Sequence, residues 1–486
     1  MQKSLAKATF VGVLVTAVQT IGGRFAGLAS QLAVAYYLTP EHLSTVALSL
    51  TLVSVTGVLQ ASGLAEVMVN RQKAFHAWSV HGHALALKLG LIAAICTISI
   101  APLLAICYGD TQIFWLCLIY AIGQIIHSHG VVPTAQLQAE LKFVSLAKFN
   151  LCSTLTLGFS LVVSAVMGLG AFSFGISRLA QTCVMTVLAR RKCPLKTSRQ
   201  PRKARQVSLL SEASVLLLIS LTSTVSLQAD YFALRMFHTA EMVGVYFFAF
   251  TIAGKTAQLI GGSVTSVIHP VLAKASGSVD RQSRITLRLI SLVACVGYPL
   301  TVLQASSMPL LFNLVLPEKW IQAMPIAQVM SVGLGFNMVC GIGWGLLKVQ
   351  RKPLQLLKLN GSFTSAFVVL TLVVSYLASP LALAFFVAIY CLVYTATLSA
   401  VVWRSLGMSL LPGVLSTLRP ALISVTVALA MHYQFGFGTQ SSLHQIPEFA
   451  LACCCYILVT YAITWLLDPL FSDECRPLFR RLIAVR

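Results

Sequence analysis

The fold is decided by apolar stretches such as "ATFVGVLVTAVQTIGGRFAGLASQLAVAYY" (residues 8–37), in which Arg24 carries the only charge. A helical run of more than about 20 apolar residues is long enough to cross the hydrocarbon core of a bilayer. At 1.5 Å of rise per residue, Arg24 lies roughly 20 Å from either end of this run. The stretch therefore predicts a membrane span with a buried guanidinium, which requires a partner or a wet cavity.

The composition of the whole chain supports a membrane protein. Hydrophobic residues make up 57% of the 486 residues and charged residues only 10%, against about 25% charged in ordinary soluble domains. We expect an all-α polytopic protein with about fourteen transmembrane helices. The predicted spans are 8–37, 43–69, 79–107, 112–133, 144–167, 169–189, 208–236, 242–268, 284–307, 320–347, 354–377, 379–403, 412–434 and 446–467. The first run is too long for a signal peptide, so we interpret it as a retained span.

Basic residues are concentrated in alternate loops. The longest basic connection is "RRKCPLKTSRQPRKAR" (190–205), and the acidic residues Glu41, Asp110 and Glu241 fall in the opposite set of connections. Because basic loops stay in the cytoplasm, we expect a multi-pass protein of the inner (plasma) membrane with both termini cytoplasmic. The net charge of +21 is dispersed over short loops without interleaved aromatic residues, which argues against nucleic acid as a partner.

The sequence indicates a tandem repeat. The segment "YLTPEHLSTVALSLTLV" (37–53) is echoed by "FHTAEMVGVYFFAFTIA" (237–253), offset by 200 residues. Six spans per copy predict two pseudo-symmetric lobes of like orientation. We therefore predict an N-lobe at 1–189, a cytoplasmic linker at 190–207, a C-lobe at 208–404, and two further helices with a cytoplasmic tail at 405–486.

Several motifs carry a family resemblance: "LTPEHLSTVALS" (38–49), "SGLAEVMVNRQ" (62–72), "LQADYFALRMFHTAEMVGVYFFAF" (227–250) and "VIHPVLAKAS" (267–276). They resemble the polysaccharide-transporter (oligosaccharide flippase) family of the multidrug/oligosaccharidyl-lipid/polysaccharide exporter superfamily. The resemblance implies two six-helix lobes that move an undecaprenyl-pyrophosphate-linked oligosaccharide, a repeat unit of lipopolysaccharide, capsule or exopolysaccharide, to the outer leaflet. The chain departs from the family pattern at Tyr36, where a basic residue is common, and at Ser44, where glycine is common, whereas the second copy keeps Gly244.

Cations outnumber acids within the predicted spans. The cations are Arg24, Lys88, Arg178 and Lys255, and the acids are Glu66, Glu212 and Asp230. Charges facing lipid are costly, so these side chains should face the bundle interior or a wet cavity. An internal cationic cavity suits a ligand with an anionic head group, for which arginine offers a fork of donors. The candidate residues for binding this head group are Arg24, Lys255 and Arg178, with Arg24 and Lys255, one from each lobe, clasping the pyrophosphate.

Structural roles are the alternative for each buried charge. Arg24 would then pair with Asp230, and Arg178 would belong to a network within its lobe. Lys88 would extend toward the cytoplasmic end of its helix.

The acids have alternatives of their own. Glu66 and Glu212 lie near cytoplasmic ends, where solvation or pairing with Arg71 and Arg205 is expected. Asp230, at a position where the family resemblance places an acid, either binds a coupling H⁺ or Na⁺ or forms a structural salt bridge.

No cofactor, metal site or enzymatic activity is expected. The thirteen Cys residues form no C-x-x-C pair, and the histidines of "HGH" (81–83) and "HSH" (127–129) point about 200° apart on a helix. A glycan polymerase or ligase is disfavoured by the short outer connections, which carry no paired carboxylates placed as acid and base.

A multidrug cation antiporter of the same superfamily is the main alternative function, although such a protein should place acids in its cavity. The expected partners are a lipid-linked oligosaccharide, membrane lipids and other polysaccharide-assembly proteins, with the chain itself a monomer.

Overall fold

The structure is a bundle of long helices. A computed structural model describes residues 23, 27, 30–61, 63–71, 74–140, 142–194, 202–274, 279–350, 352–435 and 445–467, and no strand occurs among them. The α-helices, in chain order, are α1 (Pro40–Ala61), α2 (Leu64–Asn70), α3 (Phe75–Tyr108), α4 (Gln112–Ala139), α5 (Phe143–Val166), α6 (Phe172–Lys192), α7 (Lys203–Phe237), α8 (Ala240–Lys274), α9 (Val279–Leu314), α10 (Ala323–Gly335), α11 (Cys340–Val349), α12 (Pro353–Leu377), α13 (Pro380–Ser405), α14 (Leu410–Phe435) and α15 (Ile446–Leu467).

The all-α polytopic fold predicted from the sequence is confirmed. Within the described ranges, 13 helical segments are long and apolar enough to cross a membrane. They correspond one by one to the second through fourteenth predicted spans. The first predicted span, 8–37, lies largely outside the described residues, and its last eight residues, 30–37, include a helical segment that ends at Tyr37.

The tenth span is not one continuous α-helix. It consists of α10 and α11, joined by a 3₁₀ segment at Phe336–Val339. A 3₁₀ stretch within a helix tightens the backbone and marks a bend or hinge. The following glycines allow close packing, because a Cβ atom on Gly343 would lie 3.1 Å from Cγ of Leu398 on α13.

The described residues group into two compact units. The first contains the described residues up to Phe247 together with Asn360–Tyr376, and the second contains Phe248–Leu359 and the described residues from Leu377 onward. Helix α7 belongs to the first unit, where Gln228 accepts a hydrogen bond from Thr51 of α1 at 3.1 Å. The lobe boundaries at 190–207 and 405, which follow from the repeat, stay predictions.

A tight connection between α3 and α4 places an acid at one end of the first unit. Gly109 adopts a left-handed conformation with φ of 66°, which glycine enters without steric cost. This turn reverses the chain and brings Asp110 to the start of α4, where its Oδ1 atom accepts a hydrogen bond of 2.9 Å from the backbone N–H of Gln112. An aspartate that accepts a backbone donor two residues on is a common way to begin a helix.

Candidate functional site

The first unit contains an open polar cavity of about 620 Å³. Its wall is built by α1, α4, α5, α6 and α7, so residues far apart in the chain meet there. The polar side chains of the wall include Gln60, His127, Asn150, Arg178, Gln181 and Gln228. We call this space the Arg178 cavity. A volume of this size lies within the range of about 300–1,000 Å³ that is typical of small-ligand sites.

Arg178 supplies the charge of this cavity. Among the described lining residues it is the only one with a permanent charge. Its side chain is exposed, and one of its terminal nitrogens, Nη1, donates a hydrogen bond of 2.9 Å to Oε1 of Gln181, one turn further along α6. This bond orients the guanidinium and leaves its other N–H groups for a ligand. Arg178 therefore lies in a site with the polarity expected for an anion.

One wall of the cavity is held by a buried hydrogen-bond network. Thr97 Oγ1 donates to Oε1 of Gln124 at 3.1 Å, and Nε2 of Gln124 donates to Oγ1 of Thr56 at 3.0 Å and to the carbonyl oxygen of Val53 at 3.2 Å. The hydroxyls of Thr56 and Thr97 are themselves 2.7 Å apart. A fully satisfied network in a nonpolar interior is rigid. It joins α1, α3 and α4, and no motif in the sequence pointed to Gln124.

A buried tyrosine lies in the same wall. Tyr120 is 4% exposed and lines the cavity. Its hydroxyl has no hydrogen-bond partner among the described residues. Buried hydroxyl groups are usually hydrogen-bonded, so this group is a potential partner for a ligand or an ordered water after a small rearrangement.

Asp230 lies in the protein interior and does not line the cavity. It is 2% exposed, and its Oδ2 atom accepts a hydrogen bond of 2.9 Å from the hydroxyl of Tyr246 on α8. Within the described part of the chain, no cationic side chain forms an ion pair with it. Gln228, on the same helix, lines the cavity instead. Asp230 is thus a buried acid held by a neutral donor.

Among the described residues, Lys255 does not line this cavity. Lys255 is half-buried on α8, in the second unit. Arg24 lies outside the described residues, so the clasp formed by Arg24 and Lys255 stays a prediction, as does the pairing of Arg24 with Asp230.

The remaining charges of the first unit take structural positions. Arg71 pairs with Glu212 through Nη2 and Oε1, so of the two alternatives given for this acid, solvation or pairing, the structure shows pairing. The guanidinium of Arg71 lies 3.8 Å from the ring centre of Trp78, and that of Arg205 lies 5.2 Å from the same ring. Lys88 donates a hydrogen bond of 2.8 Å to Gln206, at the start of α7. These contacts join α2, α3 and α7 at one end of the unit.

The histidine motifs meet in a way that their spacing did not predict. One histidine of each motif, His83 on α3 and His129 on α4, lie close together, with ring centres 5.6 Å apart and ring planes at 50° to each other. Arg190 Nη1 lies 3.4 Å from Nδ1 of His129. In the described part of the chain, no group of three or more His, Cys, Asp or Glu side chains is arranged to hold a metal ion.

Comparisons with known proteins point to one family. The family model described as polysaccharide biosynthesis protein matches residues 33–325. The lipopolysaccharide biosynthesis protein WzxC of Escherichia coli (strain K12) is 22% identical over 340 residues, which cover 68% of this chain and 67% of that protein. The teichuronic acid biosynthesis protein TuaB of Bacillus subtilis (strain 168) is 26% identical over 243 residues, 48% of either chain.

Solved structures share the fold at low identity. The lipid II flippase MurJ, in an inward closed conformation, superposes with a TM-score of 0.71 at 12% identity, over 93% of this chain and 99% of that one. An inward-facing multidrug resistance MATE family transporter of the MOP superfamily gives 0.58 at 12% identity, over 86% and 99% of the two chains. Likeness at this identity concerns the helical architecture alone. The family match covers more than half of the chain and confirms the resemblance read from the motifs, so the chain belongs to the polysaccharide biosynthesis protein family.

Proposed function

We propose that this protein is a flippase that moves an undecaprenyl-pyrophosphate-linked oligosaccharide from the cytoplasmic to the outer leaflet, and that the Arg178 cavity receives the anionic head group. The observation that carries this proposal is the polarity of the cavity. Its described wall contains one permanent charge, the exposed guanidinium of Arg178, and no carboxylate. A phosphate or pyrophosphate would accept hydrogen bonds from this guanidinium and offset its charge.

The neutral side chains of the wall suit the same ligand. Asn150, Ser153 and His127 line the cavity beside Arg178, and each offers a donor to a phosphate oxygen or a sugar hydroxyl. Hydrogen bonds between charged groups are shorter and stronger than neutral ones, and arginine adds the geometry of a planar fork. The head group would therefore be positioned by Arg178 and surrounded by weaker neutral contacts.

The transport cycle in this proposal is alternating access. The cavity opens to the cytoplasm for loading and to the outside for release, as in transporters built from repeats. Both termini and the 190–207 loop are cytoplasmic in this orientation. The lipid tail remains in the bilayer throughout, because transferring a long hydrocarbon chain into a polar cavity would be unfavourable.

The cycle is coupled to an ion gradient in this proposal, with Asp230 as the residue that binds H⁺ or Na⁺. A buried carboxyl that lacks an ion pair with a described cation is costly when charged. Binding of a cation would remove that cost, and the hydroxyl of Tyr246, 2.9 Å away, would remain as a fixed hydrogen-bond partner.

A multidrug antiporter is the competing function, because a MATE family transporter shares the fold. A lipophilic cation would be repelled by Arg178 and would find no carboxylate among the described residues of the cavity wall. The proposal therefore favours an anionic substrate over a cationic drug.

The test compares Arg178→Gln and Arg178→Lys with Arg191→Gln in purified protein. Arg191 is a matched control, since it is exposed on the same helix and does not line the cavity. Binding of undecaprenyl pyrophosphate should weaken about 10- to 100-fold in Arg178→Gln, the loss expected for a hydrogen bond to a charged group. Arg178→Lys should retain part of the affinity, because it keeps the charge but loses the fork.

Transport provides the second measurement. The appearance of lipid-linked oligosaccharide on the outer leaflet, normalised to folded protein, should fall in Arg178→Gln and stay at the parental level in Arg191→Gln. Parental binding and transport in Arg178→Gln would contradict the proposed site. Export of ethidium without movement of the lipid-linked oligosaccharide would favour the antiporter instead.

A further inference from the structure

A second pocket of the first unit has a different chemical character. It measures about 340 Å³ and lies where α1, α4 and α8 begin and α3 ends. The polar side chains of its wall include Glu41, His42, Tyr108, Asp110, Gln112 and Arg235. We call it the Asp110 pocket. It shares no lining residue with the Arg178 cavity.

The wall of this pocket is held in place by hydrogen bonds. Asp110 accepts from Oγ1 of Thr45 at 2.5 Å through Oδ2 and from the backbone N–H of Gln112 at 2.9 Å through Oδ1. Each carboxylate oxygen has a further lone pair to offer. The acid therefore has a fixed orientation and keeps unused acceptor capacity.

The cation of the pocket is held across two helices. Arg235, on α7, donates to the backbone carbonyl oxygens of Tyr108 at 3.3 Å and His238 at 3.4 Å. Its guanidinium carbon lies 5.4 Å from the ring centre of Tyr108. These bonds are long, and they occupy only part of the five N–H donors that an arginine carries. The Asp110 pocket thus contains both hydrogen-bond donors, from Arg235, and acceptors, from Asp110.

This mixture of groups selects a class of ligand. Two carboxylates, Glu41 and Asp110, line the same pocket as the guanidinium of Arg235. An anion in this pocket would be repelled by the carboxylates, and a cation would be repelled by the guanidinium. A sugar ring is neutral, and each of its hydroxyl groups both donates and accepts hydrogen bonds. Carboxylates would accept from these hydroxyls, and Arg235 and Gln112 would donate to them.

We propose that the Asp110 pocket binds a sugar ring of the transported glycan. This inference rests on the proposed function, because it assigns the sugar end of the same substrate. The basic-loop pattern predicts that the 108–111 connection lies outside the cytoplasm, which is the side where the glycan is released. The Arg178 cavity then receives the anionic end of the substrate, and the Asp110 pocket receives a neutral part of it.

The test measures sugar binding to the full chain by saturation-transfer-difference NMR. The probes are D-glucose, D-galactose and N-acetyl-D-glucosamine, with glycerol as an acyclic polyol. The protein is placed in lipid nanodiscs, because glucoside and maltoside detergents would themselves occupy a sugar site. Parental protein should transfer saturation to at least one of the three sugars and not to glycerol.

Two variants and a matched control locate the site. Glu41→Gln and Asp110→Asn should each weaken sugar binding about tenfold or more, since each loses a charged acceptor. Glu41 is exposed, so its variant keeps the result interpretable if Asp110→Asn folds poorly. Glu241→Gln is the control, because Glu241 occupies the corresponding position of the second repeat copy, is exposed, and does not line the pocket.

The outcomes separate this proposal from the proposed function. Absence of transfer to all three sugars, transfer to glycerol as strong as to the sugars, or parental binding in Glu41→Gln overturns the Asp110 pocket. An equal loss in Glu241→Gln also overturns it. Arg178→Gln should leave sugar transfer unchanged, and Glu41→Gln should leave undecaprenyl pyrophosphate binding unchanged. If Arg178→Gln binds undecaprenyl pyrophosphate as the parental protein does, the head-group site is contradicted, but the result for sugar binding is unaffected.

Discussion

A Cβ atom added to Gly244 would lie 1.7 Å from the carbonyl oxygen of Pro40. Pro40 begins α1 and Gly244 lies in the second turn of α8, so the starts of two helices related by the 200-residue repeat approach each other at this point. Such an approach is open only to glycine. The equivalent position in the first copy is the buried Ser44.

Gly244→Ala should therefore destabilise the protein. The added methyl group overlaps backbone atoms of α1, and forcing extra atoms into a packed interior costs about 1–3 kcal/mol or more. The measurement is the midpoint of thermal unfolding of purified protein, together with the fraction that stays monodisperse. Gly361→Ala is the control, because a Cβ atom there would have no neighbour within 4 Å among the residues that the structure describes. Equal midpoints for the two variants would show that the close approach is dispensable.

Arg71 should contribute more to stability than its ionic partner Glu212. The side chain of Glu212 is 49% exposed, and exposed ion pairs contribute only about 0–1 kcal/mol. Arg71 also lies 3.8 Å from the ring centre of Trp78, so Arg71→Ala loses both the ion pair and the cation–π contact.

We expect Glu212→Gln to lower the unfolding midpoint slightly, with an effect that fades at high salt, and Arg71→Ala to lower it further at any salt concentration. A larger loss for Glu212→Gln than for Arg71→Ala would contradict this ranking.

Gln124 should be required for the shape of the Arg178 cavity. Replacing it with leucine removes its three hydrogen bonds to Thr97, Thr56 and Val53. Each such bond contributes about 0.5–1.5 kcal/mol to stability. Thermal unfolding should show the loss for Gln124→Leu and little change for Gln138→Leu, an exposed glutamine of the same helix. Similar midpoints in both variants would mean that the network is not needed.

Asp230→Asn should abolish ion-dependent transport at normal protein abundance. An asparagine side chain still accepts a hydrogen bond from the hydroxyl of Tyr246, so the local packing is kept, but it cannot exchange a proton or neutralise a bound cation. Transport is measured with and without an imposed H⁺ or Na⁺ gradient. Glu241→Gln, an exposed acid, serves as the control. If Asp230→Asn responds to the gradient as the parental protein does, the role of Asp230 is structural.

The predicted orientation is tested by reporter fusions. A reporter that is active only outside the cytoplasm should be inactive when fused within 190–207 or 348–353 and active within 108–111 or 435–446. The physical basis is the retention of basic loops on the cytoplasmic side. Activity within 190–207 would contradict the orientation, and with it the expected release of the glycan at the Asp110 pocket.

The sequence by itself determined the class of the protein, the location of thirteen spans and the family. Membrane spans can be predicted from sequence because each segment that crosses a bilayer must by itself be long enough and apolar enough. The family could be identified from short motifs such as "LQADYFALRMF" (227–237), because matching a motif does not depend on how the helices pack. Thirteen of the predicted spans therefore reappear as helices in the described residues.

Only the tertiary structure decided which polar residues share a site. In a membrane the surroundings of a helix are as apolar as its neighbours, so the sequence carries little periodic signal for which face is buried. Sequence reasoning grouped Arg178 with Arg24 and Lys255 by charge alone, whereas the structure puts Arg178 in a cavity whose wall is organised by Gln124. Asp110 and Arg235 line one pocket, and Asp230 does not line the Arg178 cavity, because side-chain direction and helix packing are properties of the assembled helices.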